Sequence, residues 1–143
     1  MGTFNLSRLI LGGIVAGIVA DALGFLVDGV LLAPRWADGM KALGRPGFAT
    51  NQWIWFNLFG LALGIFALWL YAAIRPRYGA GPKTAIYAGV ALWFVGVLLP
   101  NASFMWAGGL FSAHLALYTT LGGIVEWVAG ALAGAALYKE AAS

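Results

Sequence analysis

The sequence predicts an all-α membrane protein: a bundle of four transmembrane helices, with a short helix lying in the membrane interface after the first of them. Composition and length lead to this fold class. Of the 143 residues, 62% are hydrophobic and 9% are charged, and the mean hydropathy is +0.89. About a quarter of the residues of a soluble domain are charged. At roughly 20 apolar residues per crossing, the chain has room for four crossings and for no large soluble domain.

The first span is expected over about residues 9–32, where an apolar run long enough to cross a bilayer ends at a proline and an arginine. Residues 34–51 form the main polar connection. Within it Trp36, Met40 and Leu43 recur at helical spacing, with charged residues between them. This pattern is typical of a short amphipathic helix in the interface.

The remaining spans are expected over about residues 52–74, 83–107 and 112–138. A tight basic turn separates the second span from the third. Within the third span Pro100 either ends the helix or kinks it, because a proline removes one helical hydrogen bond and clashes with the preceding turn. All four spans are expected to form a single transmembrane domain over residues 1–143.

Lysine and arginine are enriched in cytoplasmic loops, and their distribution predicts the orientation of the bundle. The two sides of this layout carry Arg8, Arg75, Arg77, Lys83 and Lys139 against Arg35, Lys41 and Arg45. The larger group predicts that both termini are cytoplasmic. The net charge of +3 is too scattered for a nucleic-acid surface, so no nucleic acid is expected as a partner.

Small residues allow transmembrane helices to approach closely, and they recur at four-residue spacing in two spans. The first span carries Gly12, Ala16, Ala20 and Gly24, and the fourth carries Gly122, Gly130 and Gly134. We therefore expect these two helices to be the closest pair. Gly60 and Gly64 make the second span a third partner.

Four polar residues are expected inside the membrane: Asp21, Asp28, Asn57 and Glu126. A charge at mid-bilayer costs roughly 3 kcal/mol or more, so each acid needs a partner or a function. Asp21 and Glu126 continue the glycine rows of their helices and are expected to face other helices. Asp28 shares the face of Asp21 but lies nearer the outer surface.

Two interpretations of these acids stay open. Asp21 and Glu126 can form a proton- or cation-handling pair, because two carboxyls in a medium of low dielectric constant can share or exchange a proton. Alternatively, they hold helices together through polar contacts, with Asn57 supplying amide donors.

The only histidine, His114, lies near the outer start of the fourth span. It can serve as an axial ligand to a haem or chlorophyll, or it is an interfacial histidine bonded to solvent or to a loop carbonyl. The chain has no cysteine, which excludes disulfides and thiolate ligands, and no metal site is predicted. Arg75, Arg77 and Lys83 are expected to contact lipid head groups or an acidic partner, so bound lipid is expected.

The run from Leu70 to Ala85, Leu-Tyr-Ala-Ala-Ile-Arg-Pro-Arg-Tyr-Gly-Ala-Gly-Pro-Lys-Thr-Ala, resembles a signature of small uncharacterised bacterial four-helix membrane proteins. The resemblance extends over all four spans, including residues 122–126. It implies a four-helix bundle in a bacterial inner membrane. No activity, ligand or catalytic residue comes with it.

Our first functional hypothesis is a non-catalytic accessory or structural subunit of a larger respiratory or photosynthetic membrane complex. The chain is small and rich in aromatic residues and glycine, and it lacks the nucleophile, base and oxyanion site of an enzyme. The alternative is a small proton-coupled transporter or carrier that uses Asp21 and Glu126. Expected partners are membrane lipids and other membrane subunits or further copies of the chain.

Overall fold

The computed structural model describes residues 4–140. Within this part of the chain the helices are α1 (Leu6–Leu31), α2 (Ala33–Ala42), α3 (Thr50–Tyr78), α4 (Pro82–Ala107) and α5 (Ala113–Leu137). By length and composition, α1, α3, α4 and α5 can each cross a membrane. The predicted all-α fold with four apolar spans is therefore confirmed. A short helix is present where one was expected after the first span, and its place in the interface stays a prediction.

Polar caps fix the starts of two spans. The side-chain oxygen of Asn5 accepts a hydrogen bond from the Arg8 amide at 3.2 Å, and the Ser112 hydroxyl accepts one from the Leu115 amide at 3.2 Å. Such caps satisfy amides that have no partner within the helix. The first span therefore begins a few residues before its apolar run, and α5 begins directly after Ser112.

Close backbone approaches at small residues join α1 to two other helices. A Cβ atom on Gly12 would lie 2.7 Å from the carbonyl oxygen of Gly134, and one on Gly130 would lie 2.6 Å from that of Ala16. On the other side of α1, a Cβ atom on Gly64 would overlap the backbone. Thus α1 lies between α5 and α3, and small residues line both crossings as expected. The expectation that α1 and α5 are the closest pair is not met, because α1 packs against α3 at least as extensively as against α5.

Pro100 does not end the third span. The flanking segments Phe94–Leu98 and Asn101–Ala107 are π-helical, and the amide of Gly108 donates to the carbonyl of Ser103 at 2.9 Å. In a π-helix each amide donates to the carbonyl five residues earlier. Widened turns on both sides thus accommodate the proline, which lacks an amide hydrogen.

Three polar side chains connect α4 to α5, and we call them the α4–α5 latch: Trp93, Asn101 and Thr120. The Trp93 indole donates to the carbonyl of Thr120 at 2.8 Å, and the Asn101 amide donates to the Thr120 hydroxyl at 3.0 Å. That hydroxyl donates in turn to the carbonyl of Ala116 at 2.6 Å. Thr120 is therefore the centre of a partly buried hydrogen-bond chain between two spans.

Thr120→Val is expected to lower the free energy of unfolding by about 1–2 kcal/mol, because it leaves the Asn101 amide without its acceptor. Thr119→Val is the matched control, since Thr119 is equally buried, at 7% exposure, and lies outside the latch. Denaturation in mild detergent, followed by circular dichroism, measures both. Equal losses for the two variants would contradict the assigned role of Thr120.

Candidate functional site

A cavity of about 1060 Å³ lies between α1, α2 and α3, and α5 closes one of its walls. All four polar residues that the sequence predicts inside the membrane line it: Asp21, Asp28, Asn57 and Glu126. They come from three different spans. The fold therefore brings together residues that the sequence could only place one at a time.

The cavity begins where α1 and α3 stop touching. A Cβ atom on Gly17 would lie 2.7 Å from the Cα atom of Leu61, and the carboxylate of Asp21 lies directly against Gly60, where it occupies the space that a side chain would need. One and two turns before Gly60, α3 presents Phe56 and other bulky side chains instead of glycine. In this part of α3 the two helices do not cross closely, and the bulky side chains line a cavity between them.

Asp21 lies well inside the span formed by α1. It precedes Leu31, the last residue of α1, by ten positions, or about 15 Å at the rise of an α-helix. This distance is about half the thickness of a hydrocarbon core. The carboxyl is thus expected near the middle of the bilayer, with Asp28 about two helical turns nearer the end of α1.

Glu126 reaches from α5 toward α1. A Cβ atom on Gly24 would lie 3.4 Å from the Glu126 Oε2 atom. Among the described residues, the buried Oε1 atom has no hydrogen-bond partner. A buried carboxylate oxygen without a partner is costly. Glu126 also lines the cavity, whereas its Oε1 atom is itself shielded from the cavity space.

Asp28 connects the end of α1 to α2. Its Oδ1 atom accepts a hydrogen bond from the Trp36 indole at 3.0 Å. Asp28 lies in the π-helical segment Phe25–Leu31, and the amide of Leu32 donates to the carbonyl of Val27 at 2.8 Å before the chain turns into α2. The hydrogen bond between Asp28 and Trp36 holds α2 across one end of the cavity.

Asn57 is used locally. Its side-chain amide donates to the carbonyl of Trp53, one turn earlier on α3, at 2.8 Å. The amide group thus lines the cavity with one donor already engaged by the backbone. This donor therefore bonds to a backbone carbonyl and not to an acid, which was the contact we expected for Asn57.

Four aromatic side chains form one side of the cavity, and we call them the aromatic wall: Trp36, Phe48, Trp53 and Phe56. The Phe48 ring meets the other three edge to face, with centroid distances of 5.8 Å to Trp36, 5.6 Å to Trp53 and 5.4 Å to Phe56. Such edge-to-face packing stabilises aromatic clusters. Of these four residues, only Trp36 stood out in the sequence, in the amphipathic pattern that follows the first span. The spacing of residues 53 and 56, one helical turn apart, was the available signal for a shared aromatic face.

The other candidate residues lie outside the cavity. His114 is exposed on the first turn of α5, and its ring centroid lies 6.4 Å from that of Tyr118. Arg75 forms an ion pair with Glu140 at 2.8 Å, whereas Arg77 and Lys83 are exposed. A pigment at His114 and lipid contacts at the basic residues stay predictions.

Among residues 4–140, no three His, Asp or Glu side chains converge closely enough to hold a metal ion. The carboxyls of the cavity are spread along its length and do not surround one point.

Comparisons with family models, with curated proteins and with solved structures found no match to this chain.

Proposed function

We propose that this chain is a small proton-coupled carrier that binds its substrate in the acidic cavity. One observation supports this above the others: Asp21, Asp28 and Glu126 line a single cavity of about 1060 Å³. Volumes near this size are typical of small-molecule sites. Carboxyls inside a membrane are costly and commonly mark substrate or proton pathways. A purely structural pair of acids needs no cavity between them.

In this proposal, substrate and proton compete for the carboxyls of Asp21 and Glu126. A carboxylate in a medium of low dielectric constant needs a compensating proton or a positively charged or hydrogen-bonding group beside it. When a substrate supplies that group, the proton leaves, and the two movements become coupled. The unpartnered Oε1 atom of Glu126 makes this residue the first candidate for the exchange.

Irregular helices support movement around the cavity. Carriers commonly bind substrates where transmembrane helices are interrupted. Here α1 becomes π-helical over Phe25–Leu31, beside the cavity, and the helix ends at Leu32, whose φ and ψ are −99° and 2°. We propose that this segment, together with α2, moves when the substrate enters.

We place the protein in a bacterial inner membrane as a multi-pass protein, with both termini in the cytoplasm and α2 in the outer interface. The distribution of lysine and arginine supports this orientation. The amphipathic character of α2 supports its position: Met40 is buried, while Arg35, Asp38 and Lys41 are exposed.

Proton movement into proteoliposomes tests the carrier proposal. We expect the wild-type protein to move protons in response to at least one solute from a panel of cationic, neutral and anionic compounds. An encapsulated pH-sensitive dye reports this movement. Asp21→Asn combined with Glu126→Gln should reduce the response to that of protein-free liposomes, because neither amide can exchange a proton.

Asp38→Asn is the matched control, since it removes an exposed carboxyl on α2 that does not line the cavity. It should retain the wild-type response. Proton movement that is equal in the wild type and the double variant, or absent from both, would contradict the carrier proposal.

A second candidate function is an accessory subunit of a larger respiratory or photosynthetic complex. A smaller groove of about 280 Å³ between α4 and α5 favours it, because small side chains such as Ala102, Ala113 and Ala116 line this groove and can admit a partner helix. Gentle extraction from native membranes tests this function. Recovery of the protein without any partner would count against it.

A further inference from the structure

The cavity is lined by acidic residues and by no basic one. Three carboxyls line it, and none of its described lining residues is lysine, arginine or histidine. The guanidinium of Arg35, on α2, is instead 5.1 Å from the ring centroid of Tyr118. A site of one sign in a low-dielectric surrounding attracts the opposite charge strongly. Charge complementarity therefore favours a cationic occupant.

The arrangement of the carboxyls favours an extended cation over a metal ion. Asp28 lies two helical turns from Asp21, about 10 Å along α1, and Glu126 approaches α1 near Gly24, between them. A calcium or magnesium ion needs several oxygens around one point. The carboxyls of the cavity do not form such a group, so they suit a larger molecule with a positive centre.

Another part of the cavity lining is aromatic, and one of its rings, that of Trp36, is hydrogen-bonded to Asp28. The aromatic wall presents two indole and two phenyl rings to the same space, and ring faces attract cations. Most of the remaining lining is apolar, including Ile18, Leu26 and Leu61. A ligand that matches both the acidic and the apolar parts of the lining combines a positive charge with a hydrophobic body.

The cavity continues to the lipid-facing surface of the bundle. Ile18, Phe25 and Leu26 line it, yet they are 55%, 59% and 53% exposed. At the depth of α1 in a bilayer, such exposed apolar side chains border hydrocarbon. A molecule that dissolves in the membrane can therefore enter sideways.

From these four features we infer that the cavity selects a hydrophobic organic cation, such as an ammonium or phosphonium compound with aromatic or alkyl substituents. The positive centre lies between Asp21 and Glu126, and the hydrophobic body lies against the aromatic wall. This inference rests on the proposed carrier function and names the substrate class of the same site.

Tetraphenylphosphonium and tetraphenylborate test the inference as probes, because they have nearly the same shape and opposite charge. Equilibrium dialysis of each probe against the protein in lipid nanodiscs should show saturable binding of the cation and only lipid partitioning of the anion. Asp21→Asn with Glu126→Gln should weaken binding of the cation about ten- to a hundred-fold. Trp53→Ala should weaken it about two- to thirty-fold through loss of cation–π contact.

The control variants are Asp38→Asn and Trp106→Ala, since neither residue lines the cavity, and both should bind the cation as the wild type does. Gel filtration and thermal unfolding verify folding, and Asp28→Asn replaces any variant that fails to fold.

Equal saturable binding of cation and anion, or no saturable binding of the cation, would overturn the inference. Carboxyl-dependent binding without proton movement in proteoliposomes would instead overturn the carrier function alone. Proton movement driven by a neutral or anionic solute, without cation binding, would overturn the substrate class alone.

Discussion

Replacing Gly64 with valine is expected to lower the free energy of unfolding of the bundle by about 3 kcal/mol. A Cβ atom at this position would overlap the Gly13 carbonyl oxygen and the Gly17 amide nitrogen, and it would lie 2.7 Å from the Gly17 Cα atom. All three are backbone atoms, which cannot turn aside as a side chain can. The α1–α3 crossing would have to open, and the wall of the cavity at Asp21 and Gly60 would move with it.

Gly96→Val is the matched control for this change. Gly96 also lies within a span, but the nearest atom to its added Cβ is the Leu92 Cδ1 atom at 4.0 Å. Thermal or denaturant unfolding in mild detergent, followed by circular dichroism, should therefore show a large loss for position 64 and a small one for position 96. Similar losses at both positions would contradict close packing between α1 and α3.

Trp36→Ala is expected to release α2 from the bundle. The Trp36 indole donates to Asp28, and its ring lies 5.1 Å from that of Phe111 and 5.8 Å from that of Phe48. Loss of a packed tryptophan costs about 3 kcal/mol, which raises the population of the open state about a hundred-fold. Trypsin should then cleave after Lys41 faster by the same factor, provided that α2 opens and recloses rapidly.

Two further variants separate packing from hydrogen bonding at Trp36. Trp36→Phe keeps an aromatic ring but removes the indole donor, so cleavage should rise only about five-fold, which corresponds to about 1 kcal/mol. Trp106→Ala removes a tryptophan that is 67% exposed and should leave cleavage unchanged. Unchanged cleavage in Trp36→Ala would show that α2 is held by other contacts.

The sequence was sufficient to predict the features that depend on short-range patterns. Apolar runs long enough to cross a bilayer predicted four spans, and the structure contains them. Rows of small residues, such as Gly12 with Ala16, predicted which face of α1 approaches other helices. The same spacing argument predicted that Asp21 and Glu126 face other helices. Both predictions rest on helical periodicity, which a sequence carries directly.

The cavity could not be predicted in this way, because it depends on how far α1 and α3 separate beyond Gly60. That distance depends on the bulk of Phe56 and its neighbours, and on the position of α2, none of which follows from the pattern of one helix. The bonds of Asp28 to Trp36 and of Asn101 to Thr120 likewise join separate helices. Their geometry depends on relative rotations that hydrophobic periodicity does not determine.

The π-helical turns in α4 are another feature that could not be predicted from the sequence alone. The sequence left open whether Pro100 ends the third span or bends it. Proline forbids one hydrogen bond at its own position, but the response of the neighbouring turns depends on packing against α5. Here the latch at Asn101 and Thr120 holds the second half of the span in place.

The contact between Gly12 on α1 and Gly134 on α5 has a consequence for biosynthesis. A ribosome delivers α1 to the membrane well before it delivers α5, because synthesis proceeds from the amino terminus. During that interval the glycine face of α1 is without its final neighbour. Translation that stops after α4 would leave this face open to lipid, to chaperones and to membrane proteases. Synthesis through α5 is thus a condition for a closed bundle.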